Sequence, residues 1–227
     1  MATSISFQRV ENPTVDRLDE AAELFTDLMK TNLGAVSLAG GDVSLMKFEA
    51  LALLRAGVHS GEYYEASNEE GELIGYTMWM PPGQEMFSTE DQKRLGFYEF
   101  MSKLSSEAEN YFKTTYVAEF PSFVASLLGP TGKTDSWWLH MAMIRRDYHR
   151  KGILRALIGL VLEKAAKAGE FLATCTTSDE NIRVYTGLGF DYKGSTMMNS
   201  PWGQWPIHVF RMDLKDEGRT VKDGHSA

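Results

Sequence analysis

Leu139-His140-Met141-Ala142-Met143-Ile144-Arg145-Arg146-Asp147-Tyr148-His149-Arg150-Lys151-Gly152-Ile153-Leu154-Arg155-Ala156-Leu157 runs from an apolar stretch through a cluster of cations into a helical pattern. Residues from Trp137 to Ile144 form the most strand-like apolar run in the chain. A helix is expected from about Gly152 to Ala168, with Gly169 as its C-terminal cap. Arg145, Arg146, Arg150, Lys151 and Arg155 surround the start of that helix, and only Asp147 opposes them. The positive end of the helix dipole disfavours each cation there by a few tenths of a kcal/mol, up to roughly 1. An anion bound at the turn would relieve that cost. The first helical N–H groups lack intrahelical partners, and Gly152 gives the backbone room for close approach. Free amides, a positive dipole and a basic rim suit a phosphate or pyrophosphate. A solvated basic loop that merely turns at Gly152 is the competing reading. Neither a Gly-x-x-x-x-Gly-Lys-Ser/Thr loop nor a dinucleotide fingerprint is present.

Upstream, Ser6–Val10 alternates like a short strand. Leu18, Ala21, Ala22, Phe25 and Leu28 then recur at helical spacing, and Val43 to Val58 reads as a second amphipathic helix. Glu62–Ala66 and Leu73–Met80 read as a hairpin across the turn signal Ser67-Asn68-Glu69-Glu70-Gly71. From Ser88 to about Lys113 the spacing is helical, with Ser88 as a possible cap, and a further piece ends at Gly129-Pro130. Residues 84–130 therefore read as a helical insertion between the third and fourth strands. Downstream, Phe171–Thr176 is a strand, Asn181 to about Thr186 a short helix, and Phe190–Thr196 and Ile207–Leu214 complete a sheet. The expected fold is a mixed α/β sheet flanked by helices, one domain over residues 1–214 with a polar tail over 215–227.

The quoted stretch resembles the acyl-CoA motif of the GNAT superfamily of N-acetyltransferases: apolar strand, short turn, then Gln/Arg-x-x-Gly-x-Gly/Ala opening a helix. Gly152 matches the first glycine. His149 stands at the Gln/Arg position and Leu154 at the second small residue, two departures from the pattern. A second stretch, Asn181-Ile182-Arg183-Val184-Tyr185-Thr186-Gly187-Leu188-Gly189-Phe190, resembles the family's downstream Asn-x-x-x-Tyr-x-x-x-Gly-Phe signature. Asn181 and Tyr185 lie four apart and share a helix face. The two motifs in this order are far more specific than either alone. The resemblance covers about Trp137 to Phe190, while residues 1 to 80 match in element order only.

The resemblance implies acetyl-CoA as co-substrate. It implies that His149, Arg150, Lys151, Gly152, Ile153, Leu154 and Arg155 cradle the pyrophosphate. Ala142, Met143 and Ile144 would pair their backbone with the pantetheine as an added strand. Asn181 would contact the cofactor, and Tyr185 would serve as general acid to the leaving thiolate. His140, on the strand before the turn, is the candidate base, since an ordinary histidine titrates near neutrality. Glu85, Glu119 and His208 are alternatives. Trp202 and Trp205, in a Gly/Pro loop between the last strands, are candidate acceptor contacts. Simple packing explains Tyr185, His140 and the two tryptophans as an alternative.

The 227 residues carry 23 basic and 31 acidic side chains, a net charge of −8. That balance argues against nucleic acid or an anionic membrane as partner. The single Cys175 rules out an intrachain disulfide and reads as a small packed residue. The five histidines are scattered, so no metal site is expected. The N-terminus lacks an apolar signal core and the longest apolar stretch is short, which points to the cytoplasm. Direct acetyl transfer to an amine, with the insertion closing over a small acceptor, is the expected function. The rival is a non-catalytic acyl-CoA sensor on the same fold.

Overall fold

The computed structural model describes residues 4–214; the polar tail from residue 215 onward lies outside them. Strand β1 (Ser6–Arg9) leads into helices α1 (Val15–Met29), α2 (Leu33–Leu38) and α3 (Met46–Ser60). Strands β2 (Glu62–Ser67) and β3 (Leu73–Met80) follow. The insertion holds α4 (Glu90–Gln92), α5 (Tyr98–Lys103), α6 (Ser106–Asn110) and α7 (Val117–Leu128). Then come β4 (Trp137–Ile144), α8 (Ile153–Ala168), β5 (Leu172–Thr176), α9 (Glu180–Leu188), β6 (Asp191–Ser200) and β7 (Gly203–Met212). The seven strands form one sheet in the order β1-β2-β3-β4-β5-β7-β6. Only β4 and β5 run parallel, joined by a crossover through α8; every other neighbour is antiparallel.

Each face of the sheet buries its own core. On one side α1, α2, α3 and α7 pack Leu18, Phe25, Ala35, Met46, Leu54 and Phe120 against Tyr76, Met78, Trp138 and Trp205. On the other, Leu157, Ile158 and Val161 of α8 pack with Tyr185 of α9 against Ile74, Leu139, Leu172 and Phe210. The local signals behind these elements are clear. Thr14 caps α1 by accepting the Arg17 amide at 3.1 Å, and Leu18, Ala21, Ala22 and Phe25 form its buried stripe. Gly169, at φ 70°, ends α8 in the left-handed conformation that glycine tolerates best.

Two irregularities shape the centre of the sheet. Trp79 pairs with Leu139 and Met78 with Met141, so His140 is an extra residue bulged out of β4. The bulge flips the alternation. Trp137 and Leu139 face the α8 side and Trp138 the other, but beyond it Met141 and Met143 join Trp138. Pairing between β4 and β5 also stops there, at Leu139 and Thr174, although β4 continues to Ile144. The strands part, and β4 keeps a stretch of edge free of β5.

The insertion departs from the single helix expected over 88–113. Thr89, not Ser88, caps its start, accepting the Gln92 amide at 3.3 Å. Wide turns over Lys93–Phe97 and Tyr111–Tyr116 interrupt the regular helix. Gly96, at φ 142°, breaks the first, and Leu104 is extended before Ser105 caps α6. Wide helical turns of this kind often occur at functional sites. The loop expected between the last strands is a tight hairpin instead: β6 and β7 pair out to Ser200 and Gly203. Helix α2 escaped the sequence reading because Gly34 lowers its helical propensity. A β-carbon at Gly34 would lie 2.9 Å from both the Thr177 side chain and the Trp205 ring.

The junction of α3 and β2 depends on Gly61. A β-carbon there would come within 2.2 Å of the Trp79 carbonyl oxygen, a backbone atom with little freedom to yield. Gly61→Ala is therefore expected to destabilise the fold by roughly 1–3 kcal/mol, lowering Tm by about 2–12 °C. An unchanged melt would show that β3 can shift at this point.

Candidate active site

A cavity of about 1590 Å³ fills the gap where β4 and β5 part and extends beneath the insertion. One end reaches the basic turn. Arg150 and Gly152 both take left-handed backbone conformations, at φ 62° and 78°. Such residues gather successive N–H groups into an anion-binding concavity. For Arg150 the conformation costs roughly 1–2 kcal/mol, a strain typical of ligand sites. A β-carbon at Gly152 would meet no atom within 4 Å, so the space before the helix is open. The first bond of α8 runs from the Ala156 amide to Gly152 O, which leaves the amides before it directed at that space.

The cations divide by partner. Arg145 pairs with Asp147 at 2.9 Å and Glu72 at 3.5 Å. Arg155 donates to Gly187 O at 2.7 Å, tying α8 to the end of α9. The Lys151 ammonium sits 4.6 Å from the Tyr148 ring centre and is not part of the cavity wall. Arg146 and Arg150 line the cavity. His149 brings its Nε2 within 2.9 Å of Ile144 O, so it donates there and clamps the turn to the end of β4.

In the middle, Thr174 donates its hydroxyl to Leu139 O at 3.0 Å and seals the last rung of the β4–β5 pairing. Ala142, Met143 and Ile144 then line the opening. Asn181 donates to Thr176 Oγ1 at 2.9 Å, which fixes the start of α9 against the end of β5. Tyr185 is held between Phe190 and Phe210 at ring separations of 5.6 and 5.2 Å and borders the cavity. Burial pushes its phenol up to about 12, against the opposing pull of the Thr174 hydroxyl. Cys175 also borders the cavity, and burial raises its thiol to about 12, so it is a protonated wall group rather than a nucleophile.

The far end is an apolar chamber under the insertion, lined by Phe25, Phe97, Phe100, Phe112, Phe120 and Trp138 among others. Two polar side chains stand out in it. His140 is half-buried and borders the cavity, with its Nε2 buried and unpaired. Burial, reinforced by Lys133, lowers its proton affinity to about 3. Glu49 of α3 is 8% exposed, its Oε2 has no partner, and burial raises its carboxyl to about 8. A leucine at such a position would contribute about 1.5–3 kcal/mol of burial; an unpaired carboxyl costs stability instead. The sequence reading missed Glu49. Its signal was a lone acid three residues after Met46 and one before Ala50, on the buried stripe of α3.

The remaining candidates fall elsewhere. Glu85 is paired with Lys133 at 2.7 Å at the cavity wall. Glu119 is exposed on α7. His208 is held between Asp179 at 2.8 Å and the Tyr192 hydroxyl at 3.3 Å. Trp205 lies within β7 and lines the cavity. Trp202 sits at the hairpin tip, edge-on to Tyr111 at 5.9 Å, outside the cavity wall. Among the described residues no three His, Cys, Asp or Glu side chains converge as a metal site, and no helix is long and apolar enough to cross a membrane.

Comparison with known proteins agrees with this architecture. The family model described as "Acetyltransferase (GNAT) family" matches residues 47–190. An uncharacterised N-acetyltransferase of Schizosaccharomyces pombe is 22% identical over 151 residues, covering 66% of this chain and 61% of its own length. The chain thus spans under two thirds of that curated relative. Among solved structures, arylalkylamine N-acetyltransferase 2 from Aedes aegypti superposes with a TM-score of 0.60 at 13% identity, over 93% of this chain and 99% of its own. An acetyltransferase structure from Acinetobacter baylyi gives a TM-score of 0.53 at 15% identity, over 94% and 93%. These two likenesses concern the fold.

Proposed function

Because the chain belongs to the GNAT family of acetyltransferases, we propose that it moves an acetyl group from acetyl-CoA directly to the amine of a small molecule. One observation carries this reading: a single cavity joins the strained anion turn, the free edge of β4 and the Tyr185 phenol. The residues present suit the co-substrate. The amides from Arg150 to Arg155 offer a concavity for the pyrophosphate, with open space at Gly152 and Arg146 and Arg150 on its rim. Leu154, in place of a small residue, lies on the cavity wall rather than across the turn. Ala142 to Ile144 offer strand edge to an extended pantetheine arm. Acetyl-CoA would supply an acyl group already activated as a thioester.

The chain's own groups then divide the work. Backbone amides past the bulge polarise the carbonyl, and the cavity walls hold the two reactants together. Tyr185 stays neutral and donates a hydrogen bond toward the departing sulfur. With its phenol near 12 and a thiol near ~8.5, it stabilises the thiolate more than it surrenders its proton. For removal of the amine proton, burial has driven the two unpaired chamber groups in opposite directions. His140 is too weak a base near neutrality and serves as a neutral hydrogen-bond acceptor. Glu49, poised near 8, is the better base.

Tyr185→Phe tests the reading. Turnover is expected to fall about 10²-fold or more, while CoA still raises Tm as in the parent. A non-catalytic sensor would respond to CoA in both forms and turn over in neither. Failure of CoA and acetyl-CoA to stabilise the protein would overturn the assignment of the turn.

A further inference from the structure

The chamber beyond the β4–β5 gap is more selective than acetyl transfer to an amine requires. Its walls are rings from three parts of the chain: Phe25 of α1, Phe97, Phe112 and Phe120 of the insertion, and Trp138 of β4. Phe97 and Phe112 stand 5.9 Å apart, and Phe120 meets Trp138 edge-on at 6.4 Å. Pockets of this make-up recognise an apolar body by shape and orient it through a few polar groups. The orienting group is Glu49, with an unpaired buried oxygen among these rings.

The charges along the chamber narrow the choice further. Lys133 lies 5.7 and 5.6 Å from the Phe120 and Trp138 ring centres, but its ammonium is taken by Glu85. Lys93 is likewise paired, with Glu90 at 3.1 Å. Arg146, Arg150 and Arg155 belong to the opposite end, at the basic turn. A carboxylate on the acceptor would therefore face Glu49 without a free cation to receive it. A second ammonium would have to lie against aromatic rings, because the other acids of the wall are Glu85, taken by Lys133, and Asp179 and Glu180 at the start of α9.

We propose that the acceptor is a primary amine on a single aromatic or bulky apolar body, without a carboxylate, its nitrogen at Glu49 and its body against the rings of the insertion. This rests on the acetyl-transfer reading above. The amine nitrogen gives up one proton to the Glu49 carboxylate and forms its bond to the acetyl carbon as the carbon–sulfur bond breaks, the electron pair leaving with sulfur.

The experiment pairs binding with turnover. 2-Phenylethylamine, phenylalanine and spermidine are titrated into the protein without acetyl-CoA by calorimetry, then compared with acetyl-CoA by thiol release. 2-Phenylethylamine is expected to bind and to exceed the other two in kcat/KM by at least about 100-fold, roughly 2.7 kcal/mol. In Glu49→Gln its binding is expected to weaken at least tenfold, with the CoA-induced rise in Tm unchanged. Equal or better use of phenylalanine or spermidine would overturn the acceptor class and leave acetyl transfer standing. Unweakened binding of 2-phenylethylamine by Glu49→Gln would overturn the seat at Glu49. No rise in Tm with CoA and no thiol release with any amine would overturn both the acceptor class and the reaction.

Discussion

Glu49→Gln is expected to lower kcat/KM about 100-fold or more, the scale of a lost general base, and to abolish the rise in rate toward pH 8. The parent should gain activity as its carboxyl ionises near 8, whereas the amide has nothing to titrate. The same substitution should change stability with the opposite sense. In the unfolded chain this carboxyl titrates near its ordinary 4.5, and in the fold near 8. Between those values the folded protein holds more protons than the unfolded one, so the contribution of Glu49 to stability is lost as pH rises. His140 acts the other way. Its folded value is about 3 against an ordinary 6.5, so its contribution is lost as pH falls through that window. Melting curves of the parent and Glu49→Gln should nearly coincide at pH 5. By pH 9 the variant should melt higher by at least about 5 °C, given roughly 2–4 °C per kcal/mol for a chain of this size. A pH-independent difference would mean that water or a cation reaches the carboxylate.

The second large effect concerns the other end of the cavity. Gly152→Asp should raise the KM for acetyl-CoA by about 100-fold while leaving the fold in place. The backbone there is left-handed at φ 78°, which adds roughly 1–2 kcal/mol of strain for a side chain. The space around the new β-carbon is open, so no core atom is displaced. The cost falls on the bound anion: a carboxylate would stand where free amides converge and repel the pyrophosphate. Gly152→Ala supplies the strain without the charge and should show a smaller loss. Equal effects of the two variants would assign the loss to backbone strain alone.

Much of this was legible from residue order because it depends on local chemistry. The cations crowding a helix start, the turn signal between β2 and β3, and the spacing of Asn181 and Tyr185 each carry their meaning within a few residues. The hidden part depends on long-range placement. Glu49 precedes the basic turn by about a hundred residues, and only the stacking of α3 under the insertion turns one acid in a helix into a buried wall group. Trp202 and Trp205 read alike in a Gly/Pro segment. The β6–β7 register places one in a strand facing the cavity and the other at a hairpin tip. His140 lay on the expected strand, but its extra count against β3 appears only once Met78 and Trp79 have partners.

That extra count gives β4 one residue of slack in length. Replacing His140 changes one side chain and leaves the strand's phase intact. Deleting it would close the bulge, keep the Trp79–Leu139 and Met78–Met141 pairs, and leave Trp138, Met141 and Met143 on the face they already share. The basic turn would keep its place against β3, because the pairs from Met141 to Ile144 are unchanged. A one-residue deletion elsewhere in β4 would be taken up in length by the same closure, turning over only the residues between it and the bulge. The bulge is thus a length buffer between the paired start of β4 and the anion turn.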